Sequence, residues 1–233
     1  MRSFVYLKLR ADPRAQEIKT TLSELMRLGY RAVVVDVPPE EWSPEVRDEV
    51  RALSSQSLRV YASVEVDAET DQDWRSTLAR VRPIPDYLSV KVARLADARA
   101  ASLIKSVDSI VLSPNCEEIF WDSVSAREAA RTRKVVEVPL SPILNQLGSL
   151  RLNYRRIRRM RIMLQVSKRA GLPIVASDPS LGRPIQPRLA ASALTSLLSV
   201  GWEEALDSLS SHPSAILSGE RRLFLRGYDQ VEG

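Results

Sequence analysis

Apolar and polar positions change places along this chain in a regular rhythm. Short runs rich in β-branched residues recur at Phe4 to Leu9, Ala32 to Val37, Leu58 to Val66, Tyr87 to Val92, Ser109 to Leu112, Val135 to Leu140 and Leu172 to Ala176. A weaker eighth run covers Ala215 to Leu217. Between them the spacing turns helical: Ile18, Leu22, Leu25 and Met26 within Ala15 to Leu28, then Trp74 to Val81 and Leu95 to Ile104. Strands alternating with helices predict parallel βαβ units. Gly29 ends the first helix as a glycine just past a C-terminus does. Asp12-Pro13-Arg14 follows the first strand and reads as an N-cap before an N1 proline. No glycine-rich turn stands there, so a Rossmann or P-loop nucleotide site is not expected. Seven or eight units in 233 residues predict a compact α/β fold, a single-domain TIM-barrel-like (β/α) barrel over residues 1–220. Pro187 to Val200 and Trp202 to Ser210 predict two late helices. Residues 221–233, with Arg221, Arg222 and Arg226, read as a basic C-terminal tail.

Composition narrows the chemistry. Apolar residues make up 44% of the chain, enough for a sizeable core, yet the longest apolar runs are only strand length. No segment is expected to span a bilayer. Lys8 and Arg10 interrupt the first apolar run, which does not read as a leader peptide. The single cysteine, Cys116, excludes an internal disulfide and suits the reducing cytoplasm. Beside Glu117 and Glu118 it lacks the positive surroundings that activate a thiol. The single histidine, His212, precedes Pro213 and reads as structural; histidine-rich hydrolytic metal centres are excluded, while a carboxylate-only Mg²⁺ site stays open. Trp42, Trp74, Trp121 and Trp202 read as packing residues.

The net charge of +5 is unevenly spread. Residues 1–137 hold 21 Lys and Arg against 22 Asp and Glu, whereas residues 138–233 hold 13 against 7. Between Glu137 and Asp178 there is no acid at all, but eight cations: Arg151, Arg155, Arg156, Arg158, Arg159, Arg161, Lys168 and Arg169. Leu150, Tyr154, Ile157, Met160 and Leu164 recur at three- and four-residue spacing there, predicting a helix that docks that stripe on the barrel. Arg151, Arg155 and Arg159 step by four beside it, and like charges at that spacing each cost a helix a few tenths of a kcal/mol, roughly. Either these cations meet acids elsewhere in the fold, or they face an external polyanion. The absence of acids on the segment favours the polyanion, RNA above DNA or membrane. Arginine suits phosphate because its planar fork bonds two oxygens at once. With Tyr154 the one aromatic there, phosphate and shape contacts are expected rather than base stacking. The polar loop Ser177 to Gly182, beside Arg183 and Arg188, reads as an anion contact or a plain turn.

Four strands carry charges near their C-terminal ends: Asp36, Glu65, Lys91 and Glu137. That end of a barrel is where catalytic groups lie. Strands 2, 4 and 6 are expected to bring Asp36, Lys91 and Glu137 into one lumenal layer. One reading makes Lys91 the base or Schiff-base former of a barrel lyase or aldolase; another makes the four a buried ion network filling the barrel mouth. No nucleophile, metal cluster or phosphate loop accompanies them.

From Lys91 onward the order of motifs resembles ribonuclease P protein component 3, the archaeal relative of the eukaryotic thirty-kilodalton subunit. Arg99 precedes Ser106-Val107-Asp108-Ser109-Ile110-Val111-Leu112-Ser113-Pro114; Val136-Glu137-Val138-Pro139-Leu140-Ser141-Pro142 follows, then the basic helix and Leu172 to Ser177. Gln186-Pro187-Arg188-Leu189, Val200-Gly201-Trp202, Ala205 and Ser211 to Leu217 complete the set. The resemblance covers about the C-terminal 130 residues; Ser177-Asp178-Pro179 departs from it. It implies a barrel related to the metal-dependent phosphoesterases of the PHP type, lacking their histidine ligands. It implies a subunit that is not itself catalytic, binding ribonuclease P RNA and serving 5′-leader removal from precursor tRNA indirectly. It also implies other protein subunits, especially a small ferredoxin-like partner. No cofactor on the protein is expected, and Mg²⁺ is expected on the RNA. Arg99, Lys168 and Arg188 match basic positions of the family; charge and spacing add Arg155, Arg158, Arg159, Arg169 and Arg183 as RNA-binding candidates. A protein-binding scaffold with an acidic partner is the remaining alternative.

Overall fold

A computed structural model describes residues 2–144, 150–179 and 184–220, the side chains of 150–153 excepted. The seven main runs become seven parallel strands: β1 (Phe4–Arg10), β2 (Tyr30–Asp36), β3 (Arg59–Asp67), β4 (Tyr87–Val92), β5 (Ser109–Leu112), β6 (Val135–Pro139) and β7 (Ile174–Ser177). They pair in sequence order, β1 to β7. The helices are α1 (Glu17–Arg27), α2 (Pro44–Ala52), α3 (Trp74–Arg80), α4 (Leu95–Leu103), α5 (Ser123–Arg131), α6 (Ser141–Leu144), α7 (Leu150–Arg169), α8 (Pro187–Leu198), α9 (Trp202–Asp207) and α10 (Ser211–Leu217). The result is a nearly closed TIM-barrel-like α/β fold.

Strand-facing residues divide into an outer core, where Val33, Val35, Val60, Val64 and Leu88 meet the helices, and a lumen. The lower lumen is apolar: Val5, Leu7, Ala32, Val34, Tyr87, Val135 and Val175 surround Ile216. Ile216 belongs to α10, and here the eighth-strand expectation fails. Ala215 to Leu217 is helical and plugs the N-terminal end of the barrel. The run is too short to pair two strand edges, whereas one helical turn places Ile216 on the lumenal cluster. The gap between β1 and β7 is bridged by the turn between α9 and α10. The Val5 N–H donates to the Leu209 carbonyl (2.8 Å) and the Ala176 N–H to that of Ser208 (3.1 Å). Directly across the gap, the Asp178 N–H donates to the Leu7 carbonyl (3.1 Å). His212 sits beside this seam, its Nδ1 2.7 Å from the Ile174 carbonyl.

One helix-end expectation holds and another is corrected. Gly29 does follow α1, with φ of 99°. Asp12, however, does not cap that helix: its carboxylate accepts the Arg14 N–H (2.9 Å) in a local turn, and α1 begins only at Glu17. The cap-plus-proline arrangement stands instead at Ser43–Pro44, where Ser43 accepts the Val46 N–H (3.3 Å). Trp42, Trp74 and Trp121 are buried, each indole N–H donating within the fold, while Trp202 is exposed.

Candidate nucleic-acid interface

The charged strand ends form two separate clusters. Lys8, a charge within the first apolar run, lies at the centre of the deeper one. The register of β1 against β2 slips by one residue between Tyr6 and Leu9, and Lys8 takes a left-handed backbone (φ 67°). This bulge carries its side chain into the lumen. Its ammonium contacts the Glu65 carboxylate and lies 2.8 Å from Glu137 Oε1. The Tyr87 hydroxyl (2.8 Å) and the Ser109 hydroxyl (2.9 Å) both donate to Glu137 Oε2. Arg10 reaches Glu65 (3.1 Å) and Asp36 (3.5 Å) at the rim, and Ser63 donates to Asp36 (3.0 Å). Burial works against a charged Lys8, but Glu137, Glu65 and Asp36 outweigh it and hold its pKa above the ordinary value. Burial pushes Asp36 up to about 6, against the pull of Lys8.

Asp36, Glu65 and Glu137 are thus brought together, but Lys91 is not among them. Its ammonium lies between Asp67 (3.0 Å) and Glu69 (2.8 Å), nearer the mouth. Despite partial burial, these two acids raise its pKa. A Schiff-base lysine needs the free amine, so this setting works against the lyase reading. Above both clusters opens a cavity of about 470 Å³ lined by Asp12, Asp36, Glu41, Glu65 and Asp67 with Arg10. That mouth repels phosphates. Metal chemistry does not fit either: the carboxylates converge on an ammonium, and among the described residues no His, Cys, Asp or Glu trio is grouped to hold a metal ion.

The positive charge lies outside the barrel, on α7. Met160, Met163 and Leu164 are buried and Ile157 packs beside them, but Tyr154 is 66% exposed. Among the described side chains the docked stripe therefore begins at Ile157 and leaves Tyr154 out. Twenty helical residues span about 30 Å, while the four or five residues of β6 and β7 span roughly 16 Å.

Its cations divide by what they touch. Arg161 donates to the carbonyls of Leu197 (2.8 Å) and Ser196 (3.4 Å) at the end of α8, and Lys168 pairs with Glu204 of α9 (2.9 Å). Arg159 donates to the Glu117 carbonyl (2.8 Å), near enough to oppose the burial that pushes the Cys116 thiol up. Positive surroundings for Cys116, absent in its sequence neighbourhood, thus come from α7. Arg155, Arg156, Arg158 and Arg169 make no hydrogen bond or ion pair with any described residue. Arg155, Arg158 and Arg169 are exposed. Three residues and then eleven separate them, close to whole turns, so they form one edge about 21 Å long. Arg188 is exposed on the first turn of α8, which lies beside α7 and starts from the same end of the barrel. Arg99 stands apart, on α4, tied to Asp122 (2.6 Å). Although partly buried, Asp122 is lowered to about 2 by hydrogen bonds from Arg99 and the cap of α5. Arg183, the side chain of Arg151 and residues 221–233 lie outside the described residues.

Fold and charge together define a TIM-type barrel whose lumen is filled by ion pairs and whose exposed arginines stand on a flanking helix. Over most of its length the chain is similar to ribonuclease P protein component 3. It is 27% identical over 213 residues to that protein from Methanothermobacter thermautotrophicus, covering 88% of this chain and 85% of the relative. To the Aeropyrum pernix protein of the same name it is 25% identical over 202 residues, covering 86% and 90%. The likeness thus extends well before Lys91. Among solved structures, a chain of archaeal ribonuclease P with mature tRNA, determined by cryo-electron microscopy, superposes with a TM-score of 0.76. It is 22% identical, with 95% of this chain and 93% of that one covered. Aspergillus niger ochratoxinase shares the barrel at a TM-score of 0.63 and 10% identity, over 93% and 71% of the two chains. No protein-family model matches the sequence.

Proposed function

We propose that this chain is a protein subunit of ribonuclease P that binds and steadies the catalytic RNA for removal of the 5′ leader from precursor tRNA. The observation that carries the RNA contact is the α7 edge, where Arg155, Arg158 and Arg169 are exposed and have no acidic partner among the described residues. The two relatives and the archaeal fold neighbour support the assembly in which that contact is made. Arginines along α7, with Arg188 beside them, neutralise phosphates and lessen repulsion within the folded RNA. The Mg²⁺ that cleavage needs sits on the RNA, and the chain supplies no catalytic group. Other protein subunits complete the particle, among them a small ferredoxin-like partner. The particle works in the cytoplasm, which the lone cysteine suits.

Arg155 and Arg158 are the residues to change, because Arg159 is held by the Glu117 carbonyl. Replacing both by alanine weakens binding to ribonuclease P RNA. Each lost phosphate contact flattens the dependence of log K on log salt by about 0.9. A titration across a potassium chloride series, with an unrelated structured RNA alongside, checks this. Unchanged affinity and slope would remove α7 as the interface. Retained binding to an acidic protein partner, with no RNA protected, would point to the scaffold reading instead.

A further inference from the structure

Two apolar side chains stand among the cations of α7 and α8. Tyr154 and Leu189 are the most exposed large hydrophobic residues among those described, at 66% and 61%. They come from different helices, yet the fold brings them together. α7 follows β6 and α8 follows β7, so both helices leave the same end of the barrel and run back side by side. They pack on each other, and the hydrogen bond from Arg161 to the Leu197 carbonyl (2.8 Å) sets their relative height. Tyr154 precedes Arg161 by seven residues, two turns, and so stands on the flank of α7 that reaches α8. Leu189 precedes Leu197 by eight. At 1.5 Å per residue both lie about 10–12 Å back from that contact, level with each other. Arg155 and Arg158 flank Tyr154, and Arg188 adjoins Leu189. All three arginines are exposed, and none makes a hydrogen bond or ion pair with any described residue.

We propose that Tyr154 and Leu189 form a seat for one unpaired base of the bound RNA. The base stacks on the Tyr154 ring and rests against Leu189, while Arg158 and Arg188 take the phosphates on either side. This rests on α7 being the RNA-facing helix. A nucleotide joins in one unit the two features that meet here, a flat apolar face and an anion. A double helix keeps its base faces inside its own stack and offers α7 phosphates and shape alone. The tyrosine therefore gives this helix what arginines do not, a preference for a strand with a splayed-out base. Stacking releases no counterions, so its share of the affinity does not change with salt, unlike the share carried by the arginines.

Four full-length chains test this: the wild type, Tyr154→Ala, Tyr154→Phe, and Arg155→Ala combined with Arg158→Ala. Each is titrated with ribonuclease P RNA and with a fully paired RNA duplex across a potassium chloride series. Tyr154→Ala is expected to lose about five- to hundredfold in affinity for ribonuclease P RNA, the range that single stacked bases span. Its salt slope is expected to match the wild type, and so is its binding to the duplex. Tyr154→Phe is expected to keep wild-type affinity, because the ring and not the hydroxyl makes the seat. The arginine pair is expected to flatten the slope on both RNAs. Tyr154 is exposed, so both of its variants are expected to melt with the wild type. Wild-type affinity of Tyr154→Ala for ribonuclease P RNA overturns the proposal, and so does an equal loss on the duplex. If the arginine pair weakens binding while Tyr154→Ala does not, the base seat alone falls. If the arginine pair changes nothing, α7 falls as the RNA face and the seat falls with it.

Discussion

Lys8 and Lys134 are both fully buried, and their surroundings drive them in opposite directions. Lys8 is surrounded by carboxylates. Lys134 has only backbone: its ammonium donates to the carbonyls of Ile104 (2.6 Å) and Val107 (3.0 Å), and burial lowers its pKa to about 8. In the unfolded chain the same group titrates near 10.5. Between those values the unfolded chain binds a proton that the folded chain has released. The Lys134 contribution to stability therefore rises with pH across that window and is flat below it. Lys134→Met lacks this rise, so the difference in unfolding free energy between the two chains is expected to grow in favour of the wild type from about pH 8 to 10.5. Denaturant unfolding at several pH values measures it. A constant difference would mean that Lys134 stays protonated in the fold.

At the scale of the element, α7 combines anchoring and recognition in one kind of side chain. Arg161 meets the last carbonyls of α8, where the partial negative charge of the helix end favours a cation. Trp121 donates to Ser167 from the barrel side (2.9 Å), and Ser167 in turn bonds the Met163 carbonyl. Arg161→Ala is expected to cost about 1–2 kcal/mol in urea unfolding. Its effect on RNA affinity should be smaller than that of the Arg155 and Arg158 pair. A larger loss of RNA binding than of stability would move Arg161 into the interface itself. The sequence made α7 legible as a basic helix because an acid-free run of eight cations needs no structure to be seen. It could not divide those cations into anchored and free ones. That division depends on carbonyls and acids of Glu117, Leu197 and Glu204, which are remote in the chain. Tyr154 was misplaced for a related reason: periodicity gives the face of a helix, but not which of its turns are covered.

At the scale of the molecule, the strand rhythm and parallel order could be read because each βα unit is local and strongly patterned. The closure could not. A bulge adds one residue to β1 without changing its composition, so nothing in Leu7-Lys8-Leu9 marks Lys8 as lumenal except a charge in an otherwise apolar strand. The same kind of signal did point to Glu65 and Glu137. Likewise, Ala215-Ile216-Leu217 has the apolar character of a strand, and only the barrel's seven-strand geometry makes it a plug. Replacing Ile216 by alanine is expected to cost about 2–5 kcal/mol, as large-to-small changes in well-packed cores do. Thermal denaturation checks this. A near-neutral outcome would show that the lower lumen collapses onto the space or that α10 is not needed to fill it.

The seam beside that plug also orders events during synthesis. Val5 is made about two hundred residues ahead of its hydrogen-bond acceptor, Leu209. Until then β1 and β7 each present an open edge, the feature through which nascent chains pair with the wrong neighbour. The barrel is thus a ring whose clasp is made late, and its two edges stay unpaired while the strands between them are being translated.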